Sequence, residues 1–333
     1  MKIVFDAFGG DNSPIEAVKG AVLALEARRN FSIVLVGQQE IIFNELRKYQ
    51  YDKDRITVID APEIISNDDS PVLAVRKKKN SSIVVGLKLL NDIPGCEVFV
   101  SAGSTGAVLT AATLLLKRAP GVIRPALAPV LPASGNKQVV LIDCGANVEV
   151  KPEMLAQFAL IGTAYARAIS NNQEIKVGLL SNGREVGKGT SFIKDAYDII
   201  AQDDRINFIG NIEARDILSG EVDVVVADGF SGNIALKASE GTALMMLKLI
   251  KESILNNGIR AKIGYLFLKP VFKEIKKTLD YNDNGGAVLL GLDKLVIKTH
   301  GSSKAKSFKA AILQAASIAE KGLITQVSSI LTE

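Results

Sequence analysis

Short runs of apolar residues recur along the chain, and most are continuous rather than alternating. They fall at Lys2–Asp6, Ser32–Gly37, Ile56–Asp60, Glu97–Ser101, Val139–Asp143, Lys176–Leu180, Asn207–Gly210, Val222–Ala227 and Leu295–Lys298. A strand whose sheet is covered on both faces loses the polar half of its alternation, so these runs predict buried, mostly parallel strands. Between most of them apolar residues recur at helical spacing, as in Ile15–Arg28, Pro71–Leu90, Pro152–Ser170 and Lys304–Lys321. Strand–helix alternation with right-handed crossovers predicts an α/β protein, an α/β/α sandwich on a mostly parallel sheet. No Pro/Ser-rich linker and no long charge block interrupts residues 1–333, which predicts one compact unit, or two lobes about a cleft.

The strand ends share a device. Strand Cys96–Val100 runs into the small residues Ser101-Ala102-Gly103-Ser104-Thr105-Gly106, and a helical run begins near Ala107. Backbone N–H groups of such a turn, with the unpaired first amides of the helix behind it, suit an oxyanion, most simply phosphate. The same pattern follows Lys2–Asp6 (Phe8-Gly9-Gly10-Asp11-Asn12-Ser13-Pro14, with Asn12 or Ser13 placed to cap the helix), Val139–Asp143 (Gly145-Ala146-Asn147), Val222–Asp228 (Gly229-Phe230-Ser231-Gly232-Asn233) and Val296–Ile297 (Thr299-His300-Gly301-Ser302-Ser303). Ligands of open α/β sheets bind at the carboxyl ends of the strands, so five such turns predict one shared cleft.

The composition is that of an ordinary globular protein, with 47% hydrophobic and 23% charged residues. The start, MKIVFDAFGGD, enters a core strand directly, which predicts no signal peptide. No apolar run approaches the roughly 18 residues of a membrane span. Cys96 and Cys144 lie in or beside buried-looking strands and predict free thiols in a reducing cytoplasm. Two Cys and one His cannot make a Cys/His zinc site, and neither G-x-G-x-x-G with its distant acid nor G-x-x-x-x-G-K-[ST] is present, so no metal and no cofactor is expected. A net charge of +4 with 5% aromatics and no nucleic-acid motif argues against nucleic acid. Within a helical hairpin expected over 242–280, however, Arg260, Lys262, Lys269, Lys273, Lys276 and Lys277 face one acid, Glu274, and surround Leu266, Phe267 and Leu268. A turn at Lys269-Pro270 would put these apolar residues at a basic tip, suited to an acidic partner or an anionic membrane; packing on the body or across a dimer is the other reading. Lys77, Lys78 and Lys79 read as a solvated helix face, with contact to a carrier protein as the other reading.

The turns belong to a longer series of blocks: DAFGGDNSP (6–14), DDSPVLAVRKKKNSS (68–82), SAGSTGAVL (101–109), RPALAPVLP (124–132), DCGANVEVKPE (143–153), INFIGNIEARD (206–216), VDVVVADGFSGNIALKASEG (222–241), YNDNGGAVLLGL (281–292) and VIKTHGSS (296–303). In that order, from end to end, they resemble the bacterial acyl-acyl-carrier-protein:phosphate acyltransferases. The resemblance implies a Rossmann-like fold related to phosphate acetyltransferases and isopropylmalate-type dehydrogenases. It also implies a homodimer and peripheral association with the inner face of the membrane, where a glycerol-3-phosphate acyltransferase consumes the acyl phosphate. This chain departs from the family pattern at Asn12, at Ser104, where Asn is usual, and over 181–191, where Glu185, Lys188 and Gly189 are kept but Ser181, Thr190 and Ser191 replace the usual residues.

The implied reaction is attack of inorganic phosphate on the acyl thioester of acyl carrier protein. It needs a dianion positioned against a carbonyl and donors for the developing oxyanion, but no enzyme nucleophile. The expected phosphate cradle is Gly103, Ser104, Thr105 and Gly106 with Asn147, Gly232, Asn233 and Lys188, and Lys237 one helical turn beyond Asn233. His300, with Ser302 and Ser303 after it, either protonates the leaving thiolate, donates to the oxyanion, or shapes its turn. Asp6, Gly9, Gly10, Asp11, Asp143 and Asp228 are placed at the cleft, the acids serving substrate or tying loop amides. The alternatives are a coenzyme A-dependent phosphate acetyl- or butyryltransferase, and a catalytically weakened organiser of lipid enzymes at the membrane.

Overall fold

The computed structural model describes residues 1–170, 172–279 and 285–332, with backbone alone at 276–279. Residues 281–284 of the YNDNGGAVLLGL block, Asp280, and the side chains of Lys276 and Lys277 therefore lie outside the described residues. The strands form two sheets where the sequence suggested one. In spatial order the first is β3 (Ile56–Asp60), β2 (Ser32–Gly37), β1 (Lys2–Asp6), β4 (Cys96–Ser101), β12 (Leu295–Lys298), β11 (Ala287–Leu290) and β5 (Ala126–Ala128). It is parallel from β3 to β12, and β11 runs antiparallel to both of its neighbours. The second is β6 (Val130–Ala133), β7 (Lys137–Ile142), β10 (Val224–Val226), β8 (Lys176–Leu180) and β9 (Asn207–Ile212), parallel except for β6. Nine strand runs of the sequence thus correspond to strands, and β5, β6 and β11 are additional.

The division has a local cause. Pro129 stands between β5 and β6 and has no N–H to continue a ladder, so the chain leaves one sheet and enters the other there. The segment stays tied to β7 on the way: Leu141 N donates to the Pro129 carbonyl at 3.1 Å and Cys144 N to that of Leu127 at 2.9 Å.

Both sheets are covered on two faces. In the first, Ile3, Phe5, Ile33, Leu35, Val98 and Ile297 share a core with α1 (Ile15–Ala27), α2 (Gln39–Leu46) and α10 (Ala305–Glu320). The intervening Val4, Val34, Phe99 and Val296 face α3 (Pro71–Lys77), α4 (Ser82–Asp92) and α5 (Thr105–Leu115). In the second sheet, Val140, Ile142, Val177 and Val224 lie under α6 (Pro152–Ser170), against which α7 (Ser191–Ala201) and α11 (Leu323–Thr332) pack. This double cover is why the strands are continuously apolar.

Three local expectations change. The single helix over Pro71–Leu90 is two, because Lys78 leaves helical geometry and Ser81 caps α4. Neither Asn12 nor Ser13 caps α1: Asn12 Nδ2 donates to the carbonyls of Ser302 and Ser303, and Ser13 Oγ to that of Gly9. The hairpin of α8 (Gly229–Asn256) and α9 (Gly258–Leu279) turns at Asn257-Gly258, where Gly258 takes φ +76°, and Pro270 lies inside α9. Leu266, Phe267 and Leu268 are consequently mid-helix, not at the tip.

Candidate active site between the two sheets

Three of the five turns meet at the carboxyl edge of the first sheet. Asp6, at the end of β1, is fully buried; it accepts from Ser101 Oγ at 2.7 Å and from Phe8 N at 3.0 Å, and Ser101 Oγ in turn accepts from Gly103 N at 2.9 Å. Burial pushes its carboxyl above the ordinary carboxylate range against the pull of these bonds. The turns touch so closely that a Cβ on Gly9 would lie 2.6 Å from Gly103 N. Asp11 N donates to the Gly301 carbonyl at 2.8 Å, and Thr299 Oγ1 shares a hydrogen bond with Ser303 Oγ at 2.9 Å. Asp6 and Ser303, expected at the cleft, therefore pin the turns from beneath, while Gly10 and Asp11 remain on the rim.

The other two turns meet on the second sheet. Asp143 is buried and accepts from Leu127 N (2.9 Å), Ala146 N (3.1 Å), Asn147 N (2.6 Å) and Asn147 Nδ2 (2.9 Å). Asn147 Nδ2 also donates to the Pro125 carbonyl at 2.8 Å. Asp228 caps α8 by accepting from Phe230 N and Ser231 N at 3.0 and 2.8 Å. A Cβ on Gly232 would lie 2.0 Å from the Asp143 carbonyl oxygen, so α8 can approach this turn only through glycine. Asn147 and Gly232, expected in the phosphate cradle, thus spend their polar groups and small size on holding the turns, and of the two readings of Asp143 and Asp228 the tying of loop amides is the one seen here.

What the two groups enclose is a cavity of about 130 Å³ between the sheets, lined by Thr105, Asn233, Lys237, Lys298, Thr299 and His300 with Cys144 and Glu240. Thr105 opens α5 directly after Gly103 and Ser104; Ser104 makes no side-chain cap, and Gly106 lies against Pro71. Asn233 and Lys237 are one turn apart on α8, and Lys237 pairs with Glu240 at 2.8 Å. His300 Nδ1 accepts from Ser302 N at 3.2 Å and lies 2.7 Å from Ser302 Oγ, which puts the proton of the neutral ring on Nε2. Burial, then the cations of Lys237 and Lys298, hold its pKa below the ordinary 6.5, so at neutral pH it is an uncharged donor. Burial likewise pushes the Cys144 thiol well up, leaving it an inert apolar wall.

Lys298 was not among the residues the sequence singled out. Its side chain is buried, Nζ donates to the Thr299 carbonyl, and burial with the repulsion of Lys237 brings its pKa down to about 8. The one available signal was a lysine closing an otherwise apolar strand beside the histidine. Together the cavity offers two cations, a neutral imidazole and the carboxamide of Asn233 beside the amide end of α5, an arrangement able to hold a small anion and to donate to a second oxygen.

Lys188 lies elsewhere. It is exposed on the 181–191 loop, which Asn182 Oδ1 ties at Gly189 N (2.9 Å) and Asn211 Nδ2 at the Glu185 carbonyl (3.0 Å). That loop borders a groove of about 1040 Å³ lined by Val148, Phe192, Phe230 and Ile234, and none of its residues lines the cavity. On α9, Leu266, Phe267 and Leu268 are 67%, 79% and 50% exposed, and Arg260, Lys262, Lys269 and Lys273 are exposed around them. Among the described residues no group of three or more His, Cys, Asp or Glu is placed to hold a metal ion. No helix among them is long and apolar enough to cross a membrane.

A family model described as "Fatty acid synthesis protein" matches residues 1–326. The chain is 46% identical over 329 residues to a phosphate acyltransferase of Clostridium novyi, covering 99% of this chain and 98% of that one. It is 45% identical over 314 residues to a phosphate acyltransferase of Clostridium beijerinckii, covering 94% of each. Among solved structures it is similar to a phosphotransacetylase from Streptococcus pyogenes, with a TM-score of 0.62 at 21% identity over 96% of this chain and 94% of that one. A branched-chain phosphotransacylase from Enterococcus faecalis superposes with a TM-score of 0.57 at 13% identity, over 96% of this chain and 99% of that one. At these identities the structural likeness establishes a shared fold.

Proposed function

The chain belongs to the fatty acid synthesis protein family, and from that premise we propose that it transfers a fatty acyl group from acyl carrier protein to inorganic phosphate, giving acyl phosphate for phospholipid synthesis. It is an acyltransferase, as its full-length relatives are. The observation that carries the reading is the cavity between the sheets, where Lys237, Lys298, His300, Asn233 and Thr105 converge without an enzyme nucleophile. Phosphate brings its own nucleophilic oxygen. It sits at the amide end of α5, between Thr105 and Asn233, under the two lysines. The thioester carbonyl turns its oxygen toward His300 Nε2–H, which meets the oxyanion as carbon becomes tetrahedral. An uncharged imidazole suits that task, since it donates without protonating the phosphate.

The deciding experiment mixes purified chain with a long-chain acyl thioester of acyl carrier protein and radiolabelled phosphate, and looks for acyl phosphate. Product that requires the carrier protein is the expected result. Product from acetyl- or butyryl-coenzyme A alone would move the chain to coenzyme A-dependent phosphate acyltransfer, and no product from either donor would favour an organising role. Asn233→Ala should raise the phosphate KM about tenfold, the loss of one hydrogen bond to a charged group; an unchanged KM would remove Asn233 from the phosphate site.

The reading extends to the surroundings. Leu266, Phe267 and Leu268 among Lys262, Lys269 and Lys273 suit an anionic membrane, to which the chain binds peripherally and delivers acyl phosphate to a glycerol-3-phosphate acyltransferase. The lysines also steer the acidic carrier protein. A homodimer covers part of the remaining apolar surface of the hairpin.

A further inference from the structure

Acyl transfer to phosphate moves one proton as well as one acyl group. An oxygen of HPO4²⁻ attacks the thioester carbon, the C–O bond forms, the C–S bond breaks, and the products are a dianionic acyl phosphate and a thiol. The proton that leaves phosphate has to arrive on sulfur. Resting on the function proposed above, the choice of carrier narrows within the cavity itself. His300 is held neutral with Nδ1 accepting from Ser302 N, so giving up its one ring proton would leave an imidazolate, and it serves as a hydrogen-bond donor instead. The Cys144 thiol is buried and its pKa lies well above the ordinary range. Lys237 is exposed and paired with Glu240. Asn233 and Thr105 do not titrate.

Lys298 is different in kind. It is 9% exposed, lies in register with Ser101 of β4 and Ala287 of β11, and among the described residues makes no ion pair. The charged and titratable groups around it are Lys237 and Glu240 from α8, Cys144 from the turn after β7, His300 from its own strand end, and Asp6 and Asp11 from β1 and its turn. Asp6 is occupied by Ser101 and Glu240 by Lys237, so no acid pairs directly with the ammonium, and Asp6 and Asp11 favour its charged form only through space, against the larger effect of burial. Burying a cation without such a partner is costly, and sites that keep one do so where the charge or its proton is used.

We propose that Lys298 is the proton carrier of the reaction: its ammonium protonates the departing thiolate, and the amine so formed takes the proton of the phosphoryl hydroxyl. The lysine ends the cycle as it began, and no other reactant is consumed. Its pKa of about 8 supports the role, because a thiol of ordinary pKa, about 8.5, exchanges protons with such a group at little free-energy cost in either direction.

Acyl phosphate formation from an acyl-carrier-protein thioester, followed from pH 6 to 10, tests this on the unaltered full-length chain. The expected profile falls about tenfold per pH unit above a limb near 8 as the ammonium is lost. A wild-type rate that stays flat from pH 7 to 10 would overturn the proposal, whatever any variant does. Lys298→Arg keeps the positive charge but cannot release a proton in this range. With folding verified by its melting curve, it should keep the phosphate KM within about threefold, lose about 100-fold in kcat, and lose the limb. A variant that keeps kcat, or one whose whole defect lies in the phosphate KM, would make Lys298 a binding group only and refute proton transfer. If the wild-type chain forms no acyl phosphate at any pH, the functional reading itself fails, and this proposal with it.

Discussion

The sheets and the hairpin are both rich in apolar residues, yet they treat them in opposite ways. In the strands, Val4 faces one set of helices and its neighbours Ile3 and Phe5 another, and all three are fully buried. In α8 and α9, Leu244, Ile259 and Phe267 are 69%, 76% and 79% exposed, and of the residues of α8 only Gly229, Gly232 and Leu236 are buried. The body therefore carries its own cover, and its polar groups are interior struts such as Asp143. The hairpin leaves its apolar side chains exposed, so its own stability depends on them only weakly.

Substitutions at the two regions should separate these roles. The largest effect is expected at Asp143→Asn, which places an amide against four N–H donors that now meet a carboxylate; denaturant unfolding should show a loss of about 4 kcal/mol. A loss below about 1 kcal/mol would mean that the second group of turns is not held by this residue. Lys298→Met should act in the opposite sense and stabilise the chain by about 3 kcal/mol at pH 7, since the native state holds the ammonium at a pKa of about 8 against 10.5 when unfolded. Between those two values the unfolded wild type binds more protons than the native, so its stability rises with pH and the gap to the variant closes by about pH 11. A gap that is constant with pH would refute an electrostatic origin. The smallest effect on folding belongs to the hairpin: Leu266→Asp with Phe267→Asp should change unfolding free energy by no more than about 0.5 kcal/mol yet abolish flotation with anionic vesicles. Flotation that survives would remove this stretch as the membrane anchor.

Where the sequence was readable, it was because burial leaves a pattern. Continuous apolar runs marked Ser32–Gly37, Ile56–Asp60, Lys176–Leu180 and Leu295–Lys298 with their observed bounds. The Gly/Ser turns were legible as a set, but not their division: nothing in the spacing separates the residues that hold the turns, such as Asp6, Asp143 and Asn147, from those that open on the cavity, such as Thr105, Asn233 and His300. Strands β5 and β6 escaped because they are short and flank Pro129, which reads as a break. Pro270 misled in the other direction. A proline inside a helix forfeits one backbone bond, which an otherwise long helix tolerates, whereas Asn257-Gly258 supplies the left-handed residue that a reversal needs. For Lys298 the one signal, a lysine closing an apolar strand near the histidine, is weak, since a lysine at a strand end ordinarily extends its ammonium to water and only the packed neighbours reveal that this one does not.

The strap Ala126–Ala133 bears on how the cavity is kept in shape. Its first half is a strand of one sheet, its second half a strand of the other, and Asp143 grips it at Leu127 N. The two sheets are thereby stitched along one line, like covers bound to a spine. Thr105 and His300 stand on one side of that seam and Asn233 and Lys237 on the other, so the aim of the donors across the cavity is tied to one stretch of eight residues.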